Sequence, residues 1–142
     1  MTTSIWKLMF LPLFIIVSMT SQQVPAETLS PEAIVRAYTD AANRHDLDAF
    51  LALYAPDIRK FRFPGELTSS GIEHNRQVYT KSFAEKSQIK IENVEFITLG
   101  DKVIVHDRVT GRPDGKTADE LTIYQVQNGK ITNIVYVEQQ FH

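Results

Sequence analysis

Residues 102–111 read KVIVHDRVTG, and this stretch predicts both a β-strand and an unusual side chain within it. Every second side chain of a strand lies on the same face, so Val103, Val105, Asp107 and Val109 share one face. The three valines indicate that this face is interior, which places the carboxylate of Asp107 among apolar side chains. A buried carboxylate is costly unless it shifts its pKa or finds a partner. Asp107 is therefore the first candidate for a functional group.

Period-two alternation continues on both sides of this stretch and fills the second half of the chain. A shorter and weaker alternating segment, IRKFRF, lies earlier and ends at Pro64-Gly65. Runs of this length, bounded by glycine, proline, aspartate or asparagine, are typical of strands. We predict strands at about 58–63, 89–99, 102–111, 118–127 and 130–140.

The segments between the last four strands are typical of hairpin turns. They are Gly100-Asp101, Pro113-Asp114-Gly115 and Asn128-Gly129. Strands joined in this way form an antiparallel meander. Across the two-residue turn at Gly100-Asp101, Val94 is expected to lie opposite Asp107.

Helix signals precede the meander. Ser30-Pro31 predicts the start of a first helix, because serine caps a helix and proline suits its first turn. Asp46 predicts the cap of a second helix, which Pro56 is expected to end. A third helix begins at Ser70 or Gly71 and fades near residue 86. Helices followed by a sheet predict an α+β fold, with about three N-terminal helices packed on one sheet face.

The register of the last hairpin is open on these grounds. A strict two-residue turn at Asn128-Gly129 pairs Ile123 with Ile134 and Leu121 with Tyr136. A three-residue loop with a glycine bulge exchanges the two faces, since a slip of one residue inverts a strand. Glu120, Thr122, Tyr124 and Val126 then lie beside Ile134, Tyr136 and Glu138.

The N-terminal segment 1–26 has the pattern of a secretory signal peptide. Lys7 precedes an apolar run, Leu8–Val17, and the segment closes on Val24-Pro25-Ala26. We predict cleavage after Ala26, a periplasmic or secreted protein, and one domain at 27–142 without a membrane segment. An uncleaved N-terminal anchor is the alternative, although ten apolar residues are short for a membrane span.

Composition excludes several functions. Without Lys7, 14 basic side chains remain against 17 acidic ones, a net charge of −3 that gives nucleic-acid binding no electrostatic support. The chain has no cysteine, which excludes disulfides and thiolate ligands. The four histidines are scattered and none has a recognised zinc spacing, so no metal site is predicted. The six glycines stand apart and form no phosphate-binding loop, so no cofactor is predicted either.

Two stretches resemble one known group of proteins. AIVRAYTDAANRHDLDAFLALYAPDI is similar to the opening helices of the NTF2-like superfamily, in its SnoaL-like and ketosteroid-isomerase-like members. VQNGKITNIVYVEQQ is similar to the last hairpin of the same superfamily. The resemblance spans essentially all of 27–142. It implies a cone-shaped fold, in which a strongly bent, mostly antiparallel sheet and the helices surround a pocket, and it implies dimers through the outer sheet face.

This implied fold favours the bulged register of the last hairpin. Asp107, Glu120, Tyr124, Tyr136 and Glu138 then face into the cone. The opposite face becomes an exposed apolar surface, and such a surface predicts a partner, most simply a second copy in a homodimer. The outward residues expected on that face are Ile104, Leu121, Ile123, Ile131, Val135 and Val137.

The resemblance does not supply a mechanism. Tyr38 matches the oxyanion-donating tyrosine of ketosteroid isomerases, but their aspartate base matches Phe63 or Arg62 here, and their protonated aspartate matches Thr122. Limonene-epoxide-hydrolase-like members carry a catalytic arginine and a catalytic aspartate at two positions that match Asp107 and Tyr136. No catalytic residue can be assigned by carry-over from either group.

We therefore predict an exported domain with an apolar pocket that binds a small, mostly apolar molecule. A dimeric interaction module with a filled cone is the alternative. A salt bridge from Asp107 to Arg62 or Arg76 would give that residue a structural role, and an inverted interior would make His106 and Arg108 the site. The predicted pocket residues are Tyr38, Arg62, Asp107, Glu120, Tyr124 and Tyr136.

Overall fold

The computed structural model describes residues 28–85 and 87–142, in which three helices and six strands form an α+β arrangement. The α+β class is the predicted one. The predicted signal peptide lies outside the described residues. No helix within the described ranges is long and apolar enough to cross a membrane. The elements are α1 Pro31–Arg44, α2 Leu47–Ala52, β1 Tyr54–Arg62, β2 Glu66–Ser70, α3 Ile72–Ala84, β3 Lys90–Leu99, β4 Lys102–Thr110, β5 Ala118–Gln127 and β6 Lys130–Phe141.

The strands form one sheet in the order β2-β1-β6-β5-β4-β3. The meander β3 to β6 is antiparallel throughout, and β1 joins β6 in parallel. The sheet is therefore mixed but mostly antiparallel. Four of its five strand pairs contain a register shift, and β-bulges of this kind bend a sheet.

Helix starts follow the capping signals of the sequence. Ser30 Oγ accepts a hydrogen bond from the backbone N–H of Ala33 at 3.2 Å, and Asp46 Oδ1 accepts one from Ala49 at 3.0 Å. The predicted end of the second helix at Pro56 is wrong, because α2 ends at Ala52. Pro56 lies within β1, where the pairing with β6 is interrupted, so its missing N–H removes no hydrogen bond from the ladder.

The second strand, β2, is absent from the sequence predictions. It is a short edge strand of five residues that pairs with β1 across the Pro64-Gly65 turn, and four of those residues are exposed. An exposed strand carries no alternation of apolar and polar residues, so the sequence contains no signal for it.

The core lies between the helices and the inner sheet face. The side chain of Asn43 in α1 bonds both backbone groups of Ile91 at 2.8 Å, which fixes α1 against the edge strand β3. Val103, Val105 and Asp107 of β4 are buried on the inner face, as predicted. The largest fully buried side chains of the core include Val35, Phe50, Ile58, Val103, Val105, Ile131 and Ile134.

A bulge in β3 corrects the predicted partner of Asp107. The register shifts between Asn93 and Glu95, so Asn93 and not Val94 lies opposite Asp107. Val94 is the extra residue and is 43% exposed. An amide therefore replaces an apolar side chain next to the carboxylate.

Two bulges set the register of the last hairpin. The turn at Asn128-Gly129 has two residues, and a shift between Gln125 and Val126 then produces the bulged pairing of Tyr124 with Ile134. The one-residue shift in register that was expected from a three-residue loop is thus produced by a bulge within the strands. This geometry buries Ile131 completely, so its predicted outward position is wrong.

The second bulge moves the end of β6 by one more residue. It pairs Glu138 with Leu121, and Glu120 with Gln139. The prediction that Glu138 faces into the cone is therefore wrong, since directly paired residues share a face and Leu121 belongs to the outer one.

Candidate functional site

A cavity of about 240 Å³ lies between the helices and the inner sheet face. Its wall combines aromatic rings, a few aliphatic side chains and two carboxylates. Five of the six residues predicted from the sequence border it, namely Tyr38, Asp107, Glu120, Tyr124 and Tyr136. The other lining residues are Thr39, Ala42, Asn43, His45, Phe50, Tyr79, Ser82, Phe83, Ser87, Ile89, Ile91 and Thr122.

Asp107 is held by a short polar relay rather than by a cation. It is 4% exposed, and its Oδ1 accepts a hydrogen bond from Nδ2 of Asn93 at 2.6 Å. The same amide nitrogen donates to Oγ1 of Thr39 in α1 at 3.0 Å. The relay links β4, β3 and α1, so the carboxylate is fixed in the cavity wall.

The salt bridges considered for Asp107 do not form. Arg62 pairs with Glu66 at 3.1 Å, and Arg76 pairs with Glu73 at 3.6 Å, both in exposed positions. Without a cationic partner in the described part of the chain, the carboxylate loses hydration on burial and gains one amide donor.

The pKa of Asp107 is raised from its ordinary value of 3.8 to about 6. Burial is the largest cause, because it penalises the charged form. The negative charge of Glu120 raises the pKa further, while the hydrogen bond from Asn93 and the nearby His106 lower it. A carboxyl group in this range can gain or lose a proton near neutral pH.

Stacked and tilted aromatic rings form one side of the cavity. Tyr38 stacks on Phe50 with ring centroids 4.5 Å apart, and its hydroxyl lies 2.9 Å from the hydroxyl of Tyr54. Burial raises the pKa of Tyr38, Tyr54 and Tyr124 well above 10.0, the ordinary value. These hydroxyls therefore stay protonated and can donate hydrogen bonds.

A buried lysine lies behind this aromatic wall, and sequence reasoning missed it. Lys60 is 4% exposed, and its Nζ donates to the hydroxyl oxygen of Tyr79 at 2.9 Å. The ammonium lies 4.5 Å from the ring centroid of Tyr79 and 5.0 Å from that of Tyr54. The sequence did contain a signal for this burial in the alternation Ile58, Lys60, Arg62. Lys60 lies two residues after the buried Ile58 and therefore on the same face of the strand.

This pairing changes the acidity of both groups. Burial lowers the pKa of Lys60 below its ordinary value, although Tyr79 opposes that change. Burial alone would raise the pKa of Tyr79. The charge and the hydrogen bond of Lys60, with smaller effects of the neighbouring Tyr54 and Tyr38 hydroxyls, outweigh it and lower that pKa.

Glu120 and Tyr136 border a second, outer cavity of about 530 Å³ as well as the inner one. Glu120 is hydrogen-bonded to the side chain of Gln139, and Tyr136 is 37% exposed. Arg62, the sixth predicted residue, lines the outer cavity and not the inner one.

His106 and Arg108 lie on the opposite sheet face. His106 Nε2 is 3.2 Å and Arg108 Nε 3.3 Å from the carboxylate of Asp119. The inverted-interior alternative is therefore wrong. Within the ranges that the structure describes, no cluster of histidine and acidic side chains has the form of a metal site.

A family model for the SnoaL-like domain matches residues 35–134. The chain belongs to the SnoaL-like domain family. The match runs from α1 to β6 and contains every residue that lines the inner cavity except Tyr136. No curated protein matches the chain.

Solved structures support the same NTF2-like, SnoaL-like fold at low sequence identity. An uncharacterized cystatin-fold protein from Novosphingobium aromaticivorans has a TM-score of 0.69 and 22% identity over 78% of this chain and 99% of its own. An NTF2-like protein of unknown function from Cytophaga hutchinsonii has a TM-score of 0.61 and 18% identity over 80% of this chain and 91% of its own.

An enzyme is also among the similar structures. SalBIII, an epoxide hydrolase/cyclase-like enzyme in pyran ring formation of the polyether salinomycin, has a TM-score of 0.63. It is 15% identical over 75% of this chain and 88% of its own. At such identity the likeness concerns the fold alone, and the predicted superfamily and α+β fold are confirmed.

Proposed function

We propose that this SnoaL-like domain binds a small, mostly apolar molecule in the inner cavity and holds its polar group at Asp107. The observation that carries the proposal is a buried carboxyl in an aromatic wall, with a pKa of about 6 and no cationic partner among residues 28–85 and 87–142. Burial of a carboxyl destabilises the fold. Such a group therefore indicates a ligand site more than a purely structural role.

The chemistry of the wall limits the ligand. Above its pKa of about 6, Asp107 accepts hydrogen bonds, so the ligand presents a hydroxyl or amino donor at that end. The rings of Tyr38, Phe50 and Tyr124 fit a flat apolar body. A cavity of about 240 Å³ suits a molecule smaller than most drug-sized ligands.

The proposal is one of binding, and it includes no step of the ketosteroid isomerase mechanism. Phe63 and Arg62 stand where that mechanism places its base, and Arg62 is paired with Glu66 outside the inner cavity. A carboxyl that titrates near neutral pH can still transfer a proton to a bound molecule, which leaves a cyclase-like role open to experiment.

The test is a carboxyl NMR titration of Asp107, with and without small hydroxylated aromatic compounds. We expect a pKa near 6 without ligand and a displaced Asp107 signal on binding. Asp107→Asn lacks that signal and so assigns it, and this variant should bind the compounds more weakly. Asp119→Asn, on the outer face, is the matched control and retains binding. A pKa at the ordinary value, together with no response to any compound, contradicts the proposal and favours an interaction module.

We also propose a homodimer through the outer sheet face. The support is a set of apolar side chains on that face that the single chain leaves partly or largely exposed. Light scattering should give twice the chain mass for the wild type and one chain mass for Leu121→Lys, with Val78→Lys on α3 as control. A wild-type monomer contradicts the proposal. The apolar side chains are Ile97, Ile104, Leu121, Ile123, Val135 and Val137.

Export to the periplasm or exterior is a further proposal, supported by Lys7, the apolar run 8–17 and the small residues before Glu27. N-terminal sequencing of the protein from fractionated cells should begin at Glu27. Leu13→Arg in the apolar run should retain the protein inside the cell, and Ser21→Ala should not. An uncleaved N-terminus in the soluble intracellular fraction of wild-type cells contradicts the proposal.

A further inference from the structure

The inner cavity is polar at two places of opposite character. Asp107 and Glu120 lie on β4 and β5, whereas Tyr79 of α3 lies against Lys60 of β1. In the strand order, β6 and β5 separate β1 from β4, which amounts to three strand spacings or roughly 14 Å between backbones. The cavity is therefore lined by two carboxylates on one side and by a tyrosine with a lysine behind it on another.

Lys60 acts on the cavity through Tyr79. Its ammonium is covered by the rings of Tyr54 and Tyr79, and it does not border the inner cavity, whereas Tyr79 does. The hydroxyl oxygen of Tyr79 accepts the hydrogen bond from Lys60 Nζ at 2.9 Å. Accepting a hydrogen bond from a cation polarises the O–H group and makes it a stronger donor.

The other titratable groups around Tyr79 leave its own proton available. Tyr54 of β1, Tyr38 of α1 and Tyr136 of β6 lie near Tyr79, and the hydroxyls of Tyr38 and Tyr54 are hydrogen-bonded to each other. These contacts and Lys60 lower the pKa of Tyr79 despite its burial. Because the oxygen of Tyr79 accepts from Lys60, its hydroxyl is arranged to give its own proton to an acceptor.

We propose that Tyr79, with Lys60 as its positioning residue, is a second anchor that donates a hydrogen bond to a carbonyl oxygen of the bound molecule. The inference rests on the proposed function and narrows its ligand class. The ligand is an apolar body with a hydroxyl or amino donor directed at Asp107 and a carbonyl oxygen directed at Tyr79.

Three small probes of matched shape separate the two anchors. The first, 4-hydroxyacetophenone, has both groups, acetophenone has only the carbonyl, and 4-ethylphenol has only the hydroxyl. Calorimetry on the full protein should show the tightest binding for the first. In Tyr79→Phe, binding of the two carbonyl compounds should weaken about tenfold, because the hydrogen bond from the polarised tyrosine hydroxyl is lost. Binding of 4-ethylphenol should stay within about twofold.

Lys60→Met should weaken the same two carbonyl compounds, and Asp107→Asn should weaken the two hydroxyl compounds instead. Tyrosine ionisation, followed by ultraviolet absorbance without ligand, supplies a readout that a purely structural lysine would not change. The first tyrosine to ionise should do so at higher pH in Lys60→Met and should be missing in Tyr79→Phe. Lys102→Met, an exposed lysine, is the control and should leave that titration unchanged.

The outcomes distinguish this inference from the proposed function. If the probes bind but Tyr79→Phe does not discriminate between them, the second anchor is wrong and binding at Asp107 stands. If none of the probes binds the wild type, the proposed function and the second anchor fail together. Should Lys60→Met not fold, Tyr79→Phe retains the ring and decides the question by itself.

Discussion

Replacement of Asp107 by asparagine should stabilise the protein at alkaline pH. The substitution keeps the shape of the side chain and an oxygen that can accept the hydrogen bond from Asn93. It removes a carboxyl whose pKa is about 6 in the folded protein and 3.8 ordinarily. At 1.36 kcal/mol per pKa unit, that difference corresponds to about 3 kcal/mol of destabilisation once the wild-type carboxyl is ionised.

The sign of the pH dependence follows from the raised pKa. The folded chain binds the proton more tightly than the unfolded chain, so the wild type loses stability as the pH rises from 3.8 through about 6. Asp107→Asn does not titrate. The difference in unfolding free energy between variant and wild type should therefore increase by about 3 kcal/mol over that range and then level off.

Urea unfolding at about pH 4 and about pH 8 measures this difference, since all other titrating groups are common to both proteins. Asp114→Asn is the matched control of opposite sign. Hydrogen bonds from Arg112 and Lys116 lower the pKa of Asp114 below its ordinary value of 3.8, so its replacement should remove stability at both pH values, because that stabilisation is lost only as the pH falls below 3.8. A pH-independent difference for Asp107→Asn, or a loss of stability at about pH 8, would refute the reasoning.

Three further predictions concern the fold and the relay. Gly111→Ala should cost more than about 1 kcal/mol by urea unfolding, because φ is +72° and an added Cβ would lie 2.0 Å from the backbone oxygen of Gln88. Phe50→Ala should cost about 3–5 kcal/mol in the same assay, since its ring is 1% exposed at the centre of the aromatic wall. Asn93→Leu should raise the pKa of Asp107 further by carboxyl NMR, because the amide donor lowers it.

Matched substitutions test these reasons separately from general damage. Gly65→Ala adds a Cβ that meets no atom within 4 Å and should be nearly neutral, whereas equal losses at both glycines would contradict the steric argument. Phe63→Ala truncates a ring that is 61% exposed and should cost less than about 1 kcal/mol. An unchanged titration of Asp107 in Asn93→Leu would show that the 2.6 Å hydrogen bond does not set its pKa.

Much of the fold could be predicted because the local signals are strong. Hairpin turns at Gly100-Asp101 and Asn128-Gly129 place the strand ends within one or two residues, and the caps at Ser30 and Asp46 place the helix starts. The alternation around Asp107 identifies the inner face without any tertiary information. These features depend on backbone geometry over a few residues, which a sequence specifies directly.

The errors share a physical cause in strand pairing. A bulge adds one residue to one strand and changes which side chains meet, but no residue type in β3 or β6 marks its place. Val94, Ile131 and Glu138 were each misplaced by such a shift. Lys60 was overlooked for a different reason, since burial of an ammonium depends on the rings that cover it, and these come from elsewhere in the chain.

The bulge in β3 matters most for the site. Without it, Val94 would lie opposite Asp107, and the buried carboxylate would lose its amide donor while keeping its burial. With the bulge, Asn93 links Asp107 to Thr39. Its hydrogen bond lowers the pKa of Asp107, which burial still raises to about 6. Apolar side chains at Thr39, Asn93 and Asp107 would have given a more stable core. A chain that buries a carboxylate in the wall of a cavity and an ammonium behind that wall departs from such a core twice. Asp107 itself and Tyr79, the partner of Lys60, both border one ligand-sized space.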